Sequence, residues 1–105
     1  PLAVHQQLHR RLVELEAQLP RDVWLLSQHA LGPYLHHPRH RPFTAEDEGC
    51  NVAGLAAGSL IVLSDAVNDA GITDLPACLA GLQQEPTAEQ LHWYQPLYVF
   101  RLRVP

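Results

Sequence analysis

The chain has 105 residues, of which 47% are hydrophobic, and this is enough to bury one modest core in a single domain over residues 1–105. Its formal net charge of -4 argues against nucleic acid as a partner, because phosphate-binding domains normally carry a basic excess. No apolar stretch reaches the ~20 residues that a membrane-spanning helix needs. The sequence begins with Pro1 and contains no methionine, so we expect it to be a segment of a longer protein.

The first residues predict one long helix followed by a short strand. Apolar side chains recur at intervals of four and three residues as far as Pro20, which predicts an amphipathic helix that this proline ends. The apolar run 23–26 predicts the first strand. The apolar stripe of the helix consists of Val4, Leu8, Leu12, Leu15 and Leu19.

The segment after this strand predicts a second, shorter helix and a proline-rich connection. Ser27 is placed to cap a helix that reaches about Leu35. Two prolines within 36–43 forbid a regular helix there but allow a short strand near Phe43. Residues 44–51 are predicted to form an exposed acidic loop.

The second half of the chain is organised around the apolar run 60–63. The run does not alternate and is rich in branched side chains, which predicts a strand covered by protein on both faces. Thr73 or Asp74 is placed to cap the following helix, with Pro76 in its first turn.

The last segments complete an alternation of helices and strands. Residues 87–90 match a capping box and predict a single helical turn around Leu91, and 97–104 predict the last strand. This order indicates an α/β fold, with a small three- to four-stranded, mostly parallel sheet flanked by helices in a Rossmann-like arrangement.

Polar residues follow two of the predicted strands, at Gln28 and His29 and at Ser64 and Asp65. Ligands of open parallel sheets bind beyond the carboxyl ends of the strands, so these four residues are candidate ligand-binding groups. A hydrolase that uses His29 and Asp65 is a weaker hypothesis, because no nucleophile-elbow motif surrounds either nearby serine. Helix caps and strand-end hydrogen bonds explain these residues without catalysis, and no catalytic residue is assigned.

A dense cluster of His36, His37, Arg39, His40 and Arg41 is a second candidate site. Arginine suits a phosphate or other anion because its planar guanidinium donates paired hydrogen bonds. The same positive charges disfavour a metal ion, and the neighbouring prolines fit a rigid connector. The hypothesis that follows is a stand-alone cytoplasmic module that binds a metal or an anion; no metal site or cofactor is assigned.

Two cysteines, Cys50 and Cys78, permit one disulfide. Two buried, reduced thiols are the alternative, and the spacing does not decide between them.

Four segments, 19–23, 31–36, 60–65 and 98–103, together resemble the soluble C-terminal domain of polytopic bacterial membrane glycosyltransferases and related membrane proteins. In that family a helix ends in a Pro-x-Asp turn before a short strand, a Pro-His-Leu segment follows, and later strands end in acidic and in basic residues. The matching positions are Pro33, Leu35, Val62, Leu63 and 98–103, whereas Tyr34, Pro38, Ser59 and Leu60 depart from the pattern.

The resemblance implies an extracytoplasmic domain tethered to a membrane-embedded catalytic unit that uses lipid-linked sugars. The family's catalytic acid lies in the membrane portion, so no residue of this chain inherits a catalytic role. The implied partners are the membrane portion of the parent protein and a lipid-linked sugar or its acceptor, which the domain supports or positions. An oxidising compartment would also favour a bridge between Cys50 and Cys78.

Overall fold

The computed structural model describes residues 2–43, 50–67, 72 and 74–103, without the side chains of Leu2 and Val4. Most of the predicted acidic loop, together with Thr73 and the end of the predicted last strand, lies outside the described residues. In chain order the elements within them are α1 (Leu2–Gln18), β1 (Leu25–Ser27), a first 3₁₀ helix (His29–Tyr34), β2 (His40–Pro42), β3 (Leu60–Leu63), α2 (Leu75–Gln84), β4 (Ala88–Gln90), a second 3₁₀ helix (His92–Tyr94) and β5 (Tyr98–Leu102).

The strands form one mixed sheet in the order β2-β1-β3-β5-β4. β1 runs parallel to β2 and β3, whereas β5 runs antiparallel to its neighbours β3 and β4. The predicted α/β class is confirmed. The predicted number of three to four strands is too low, and a mostly parallel, Rossmann-like sheet is not confirmed, because two of the four pairings are antiparallel.

One of the two antiparallel pairings, that of β4 with β5, involves a strand that the sequence pattern did not predict. Residues 87–90 do not begin a helical turn: Ala88–Gln90 is β4, and the turn comes later, at His92–Tyr94. Seven residues separate β4 from β5. So short a link favours an antiparallel pair, because parallel neighbours need a crossover of roughly a dozen residues or more.

The central position of β3 is confirmed. All four of its residues are buried, and alternate side chains enter two separate cores. Leu60 and Val62 belong to the core beneath α1, whereas Ile61 and Leu63 belong to the core beneath α2. Protein therefore covers β3 on both faces, which explains why its apolar residues do not alternate with polar ones.

The predicted first helix and the predicted helix after Asp74 form as α1 and α2 and flank the sheet. Leu8, Leu12 and Leu15 of α1 are buried, as the apolar stripe predicts. At the start of α2 the Asp74 carboxylate accepts a hydrogen bond of 3.0 Å from the backbone N–H of Ala77, so Asp74 is the N-cap. Among the described residues, neither helix combines the length and the apolar character that crossing a bilayer requires.

The region around β1 and β2 differs from the prediction, because β1 is Leu25–Ser27 and not 23–26. Ser27 is the last residue of β1 and not a helix cap; its buried hydroxyl donates to the backbone carbonyl of Gln28 at 3.1 Å. The 3₁₀ helix that follows begins after Gln28, whose side chain makes no cap. The short strand expected near Phe43 is β2, and Phe43 itself is buried directly after it.

Candidate functional site

The carboxyl ends of β1 and β3 lie side by side and bring Gln28 and Ser64 into contact. The backbone N–H of Ser64 donates a hydrogen bond to Oε1 of Gln28. Both residues are buried, with Gln28 only 2% exposed. The Gln28 side chain is thus buried at the carboxyl ends of β1 and β3, and its role in this geometry is to join the two strands.

His29 and Asp65 do not form a pair. Both are exposed, and no hydrogen bond joins them in the part of the chain that the structure describes. Asp65 instead accepts a hydrogen bond of 3.4 Å from the Tyr98 hydroxyl. The charge of Asp65 raises the pKa of Tyr98, and partial burial and the hydrogen bond act in the same direction. The arrangement lacks the oriented base that hydrolysis by His29 and Asp65 would need.

The residues of the His/Arg cluster, in edge strand β2 and just before it, make separate contacts and do not converge. His40 Nε2 lies 2.8 Å from Ser27 Oγ, and His37 Nε2 donates to the carbonyl of Val23 at 2.6 Å. His36 uses its backbone N–H, which donates to Glu16 at 2.8 Å. These contacts tie the segment to α1 and β1.

The arginines of the cluster lie elsewhere, over the ring of Trp24. The guanidinium carbons of Arg39 and Arg41 are 5.7 and 5.0 Å from the centre of this ring, within cation–π range. Arg39 also donates to the backbone carbonyl of Asp22 at 3.1 Å. Both arginines are exposed. We call Arg39, Trp24 and Arg41 the Arg–Trp–Arg surface. In this surface two guanidinium groups lie over one indole ring.

The metal-binding alternative receives no geometric support. Within the described ranges, which include all of 36–41, no three His, Cys, Asp or Glu side chains are grouped so that they could hold a metal ion. His37 and His40 are engaged with Val23 and Ser27, as described above.

His40 predicts a pH dependence of stability. Burial lowers its pKa below the ordinary value of 6.5; nearby Glu16 acts in the opposite direction and His37 in the same direction as burial. The unfolded chain therefore binds a proton at His40 more readily than the folded chain does. The contribution of neutral His40 to the free energy of unfolding is complete above pH 6.5 and is lost as the pH falls through the pKa of the folded state. We expect the free energy of unfolding, measured by urea denaturation, to decrease on acidification and to decrease less in His40→Gln. Equal decreases in the two proteins would contradict this assignment.

The structure also contains a pocket that the sequence does not reveal. It has a volume of about 330 Å³ and lies where α1 ends, on the side of the sheet that α1 covers. Trp93, 61% exposed, and Arg101 are among the residues that line it. No local pattern marks these two residues, because the cavity depends on where α1 stops relative to the sheet.

The two cysteines form a disulfide between Cys50 and Cys78, with their Cα atoms 4.7 Å apart. Both residues are buried in the core beneath α2. The pairing that the spacing left open is thus present in the folded chain.

Comparisons with protein-family models, with curated proteins and with solved structures find no match to this chain.

Proposed function

We propose that this chain is a non-catalytic, extracytoplasmic accessory domain of a membrane glycosyltransferase-like protein. In this role the domain supports the membrane-embedded part of its parent protein, or positions a lipid-linked sugar or acceptor there. The proposal is supported by the resemblance of segments 19–23, 31–36, 60–65 and 98–103 to that family. It is also supported by the disulfide and by the hydrogen bonds of the polar groups at the strand ends.

The observation that carries the proposal is the buried disulfide between Cys50 and Cys78. Disulfides persist in oxidising compartments such as the periplasm and the extracellular space, and they are rare in the cytosol. The disulfide therefore supports an extracytoplasmic location, which is also what the resemblance implies.

A non-catalytic role is supported by the way the polar groups at the strand ends are used. Ser27, Gln28 and Ser64 are buried and make hydrogen bonds that involve backbone groups. Polar groups in such positions stabilise a fold because they satisfy buried donors and acceptors.

An anion-binding module is the second candidate, and the Arg–Trp–Arg surface favours it. Guanidinium groups pair with phosphate or carboxylate through two parallel hydrogen bonds. Arg39 and Arg41 are exposed and share one indole support, so both remain accessible to such a ligand. In this reading the chain acts alone, and neither a membrane nor a parent enzyme is required.

One experiment with two arms separates these functions. In the parent protein, a reporter enzyme that is active only outside the cytoplasm should be active when fused to this domain. Deletion of the domain should raise KM for the lipid-linked sugar more than it lowers kcat.

In the isolated chain, inorganic pyrophosphate should shift the Trp24 indole signal in NMR spectra only if the second function holds. The variant Arg39→Gln/Arg41→Gln should abolish that shift, with the exposed Arg10→Gln as the matched control. An inactive reporter, or a reading frame without hydrophobic spans, would rule out the accessory-domain proposal.

A further inference from the structure

The pocket at the end of α1, which we call the α1 pocket, lies between the last turn of α1, the segment that follows it and the sheet. The helix ends at Gln18, and the chain then turns through Pro20 toward β1. Leu60, at the start of β3, and Leu91, directly after β4, form apolar parts of the lining. Together with residues from the end of α1 they enclose a cavity of about 330 Å³.

The mouth of the α1 pocket carries an aromatic ring that is held in position. The rings of Trp93 and Tyr94 are tilted against each other, with their centres 5.8 Å apart. Tyr94 is buried, and its hydroxyl donates to Oε1 of Gln18 at 2.9 Å, which links the second 3₁₀ helix to the end of α1. Trp93 is thus fixed through its neighbour while 61% of its own surface stays exposed.

Arg101 supplies the charge of the α1 pocket. Among the described residues that line the cavity it is the one charged side chain, and the others are mainly apolar. Arg101 projects from β5 opposite Glu89 of β4, whose carboxylate accepts a hydrogen bond from Nη2 of Arg101 at 3.1 Å. Glu89 is not part of the lining, so it holds the guanidinium from outside the cavity and also competes with an anion for it.

We propose that the α1 pocket binds a small amphipathic anion, namely an aromatic or branched apolar group that bears one carboxylate. The volume is within the range of small-molecule sites, which are mostly apolar with a few polar groups that fix orientation. The apolar body covers Leu60 and Leu91 and packs on Trp93, and the carboxylate pairs with the Arg101 guanidinium at the mouth. The proposal goes beyond the function inferred above, because it depends neither on the compartment nor on the Arg–Trp–Arg surface.

The test uses 4-phenylbutyrate as the probe and its neutral amide as the matched ligand, both titrated into the 105-residue chain and followed by NMR. The acid should shift the indole N–H signal of Trp93 in a saturable manner and leave that of Trp24 in place. The amide should bind at least tenfold more weakly, because it lacks the charge that pairs with Arg101. Equal affinities for the acid and the amide would overturn the proposal, as would a response confined to Trp24.

Three variants test the roles of individual side chains. Arg101→Gln should weaken binding of the acid at least tenfold and leave binding of the amide unchanged. Glu89→Gln should strengthen binding of the acid severalfold, since the competing carboxylate is lost. Arg103→Gln, an exposed arginine two positions along that does not line the pocket, should change neither affinity. All three sites are exposed or half-buried, and the dispersion of the NMR spectrum shows whether each variant is folded. An unchanged acid affinity in folded Arg101→Gln would overturn the proposal.

Discussion

Reduction of the Cys50–Cys78 disulfide is expected to lower the free energy of unfolding by about 3 to 4 kcal/mol. The two cysteines are 28 residues apart in sequence, and the cross-link restricts the unfolded chain over the whole of that loop. For a domain of this size, such a loss corresponds to a fall in Tm of roughly 15 to 25 °C. Urea denaturation with and without a reductant measures the difference directly.

A double variant separates the cross-link from the packing of the sulfur atoms. Reduced wild type keeps both sulfurs, whereas Cys50→Ala/Cys78→Ala removes them from the core beneath α2. The double variant should be less stable than the reduced wild type, because Cys78 is fully buried and its loss leaves a small cavity. A reduced wild type within about 1 kcal/mol of the oxidised protein would contradict the role assigned to the cross-link.

Gln28→Leu is expected to lower the free energy of unfolding by about 1 to 3 kcal/mol. Leucine has nearly the same volume as glutamine, but it lacks the oxygen that accepts the N–H of Ser64. That N–H is held at a buried position between β1 and β3, so it would lose its partner without gaining water. Gln28→Ala should be more destabilising still, because it also leaves a cavity.

The neighbouring residue supplies the control for this prediction. His29→Ala changes an exposed side chain, so its effect should stay within about 0.5 kcal/mol. Chemical denaturation of the three variants and the wild type gives the comparison. If Gln28→Leu were as stable as His29→Ala, the buried amide would not be what joins the ends of β1 and β3.

Elements whose buried residues recur at regular intervals, or follow one another without a break, were predictable from local patterns. The stripe of Leu8, Leu12 and Leu15 specifies α1 because each leucine lies on one face of a helix with 3.6 residues per turn. The unbroken run Leu60–Leu63 specifies a strand with two covered faces because neither face needs polar residues. In both cases the signal lies within a few consecutive turns or residues.

β4 was not predictable in this way. Its residues, Ala88–Gln90, are half-buried and partly polar, and they lie at the edge of the sheet. They form a strand because they pair with β5, where Ala88 faces Leu102 and Gln90 faces Phe100. That pairing depends on residues beyond the local window, whereas the capping-box pattern of 87–90 is local and pointed to a helix.

The candidate sites were also predictable only in part from the sequence. The positions of Gln28 and Ser64 after two strands are visible in the sequence, but their contact depends on the pairing of β1 with β3 and on how the glutamine side chain is packed. His40 and Arg41 of the 36–41 cluster separate because they are successive residues of β2 and their side chains point to opposite faces, so His40 meets Ser27 whereas Arg41 lies over Trp24.

The amino-acid order was therefore sufficient for the α/β class, for α1, for α2 and for the buried centre of the sheet, since periodicity and burial are linked over short stretches. The direction of β5, the bond between Cys50 and Cys78 and the α1 pocket emerge only once the chain is folded. Each of these features arises from contacts between residues that are distant in sequence, and such contacts leave no periodic signal along the chain.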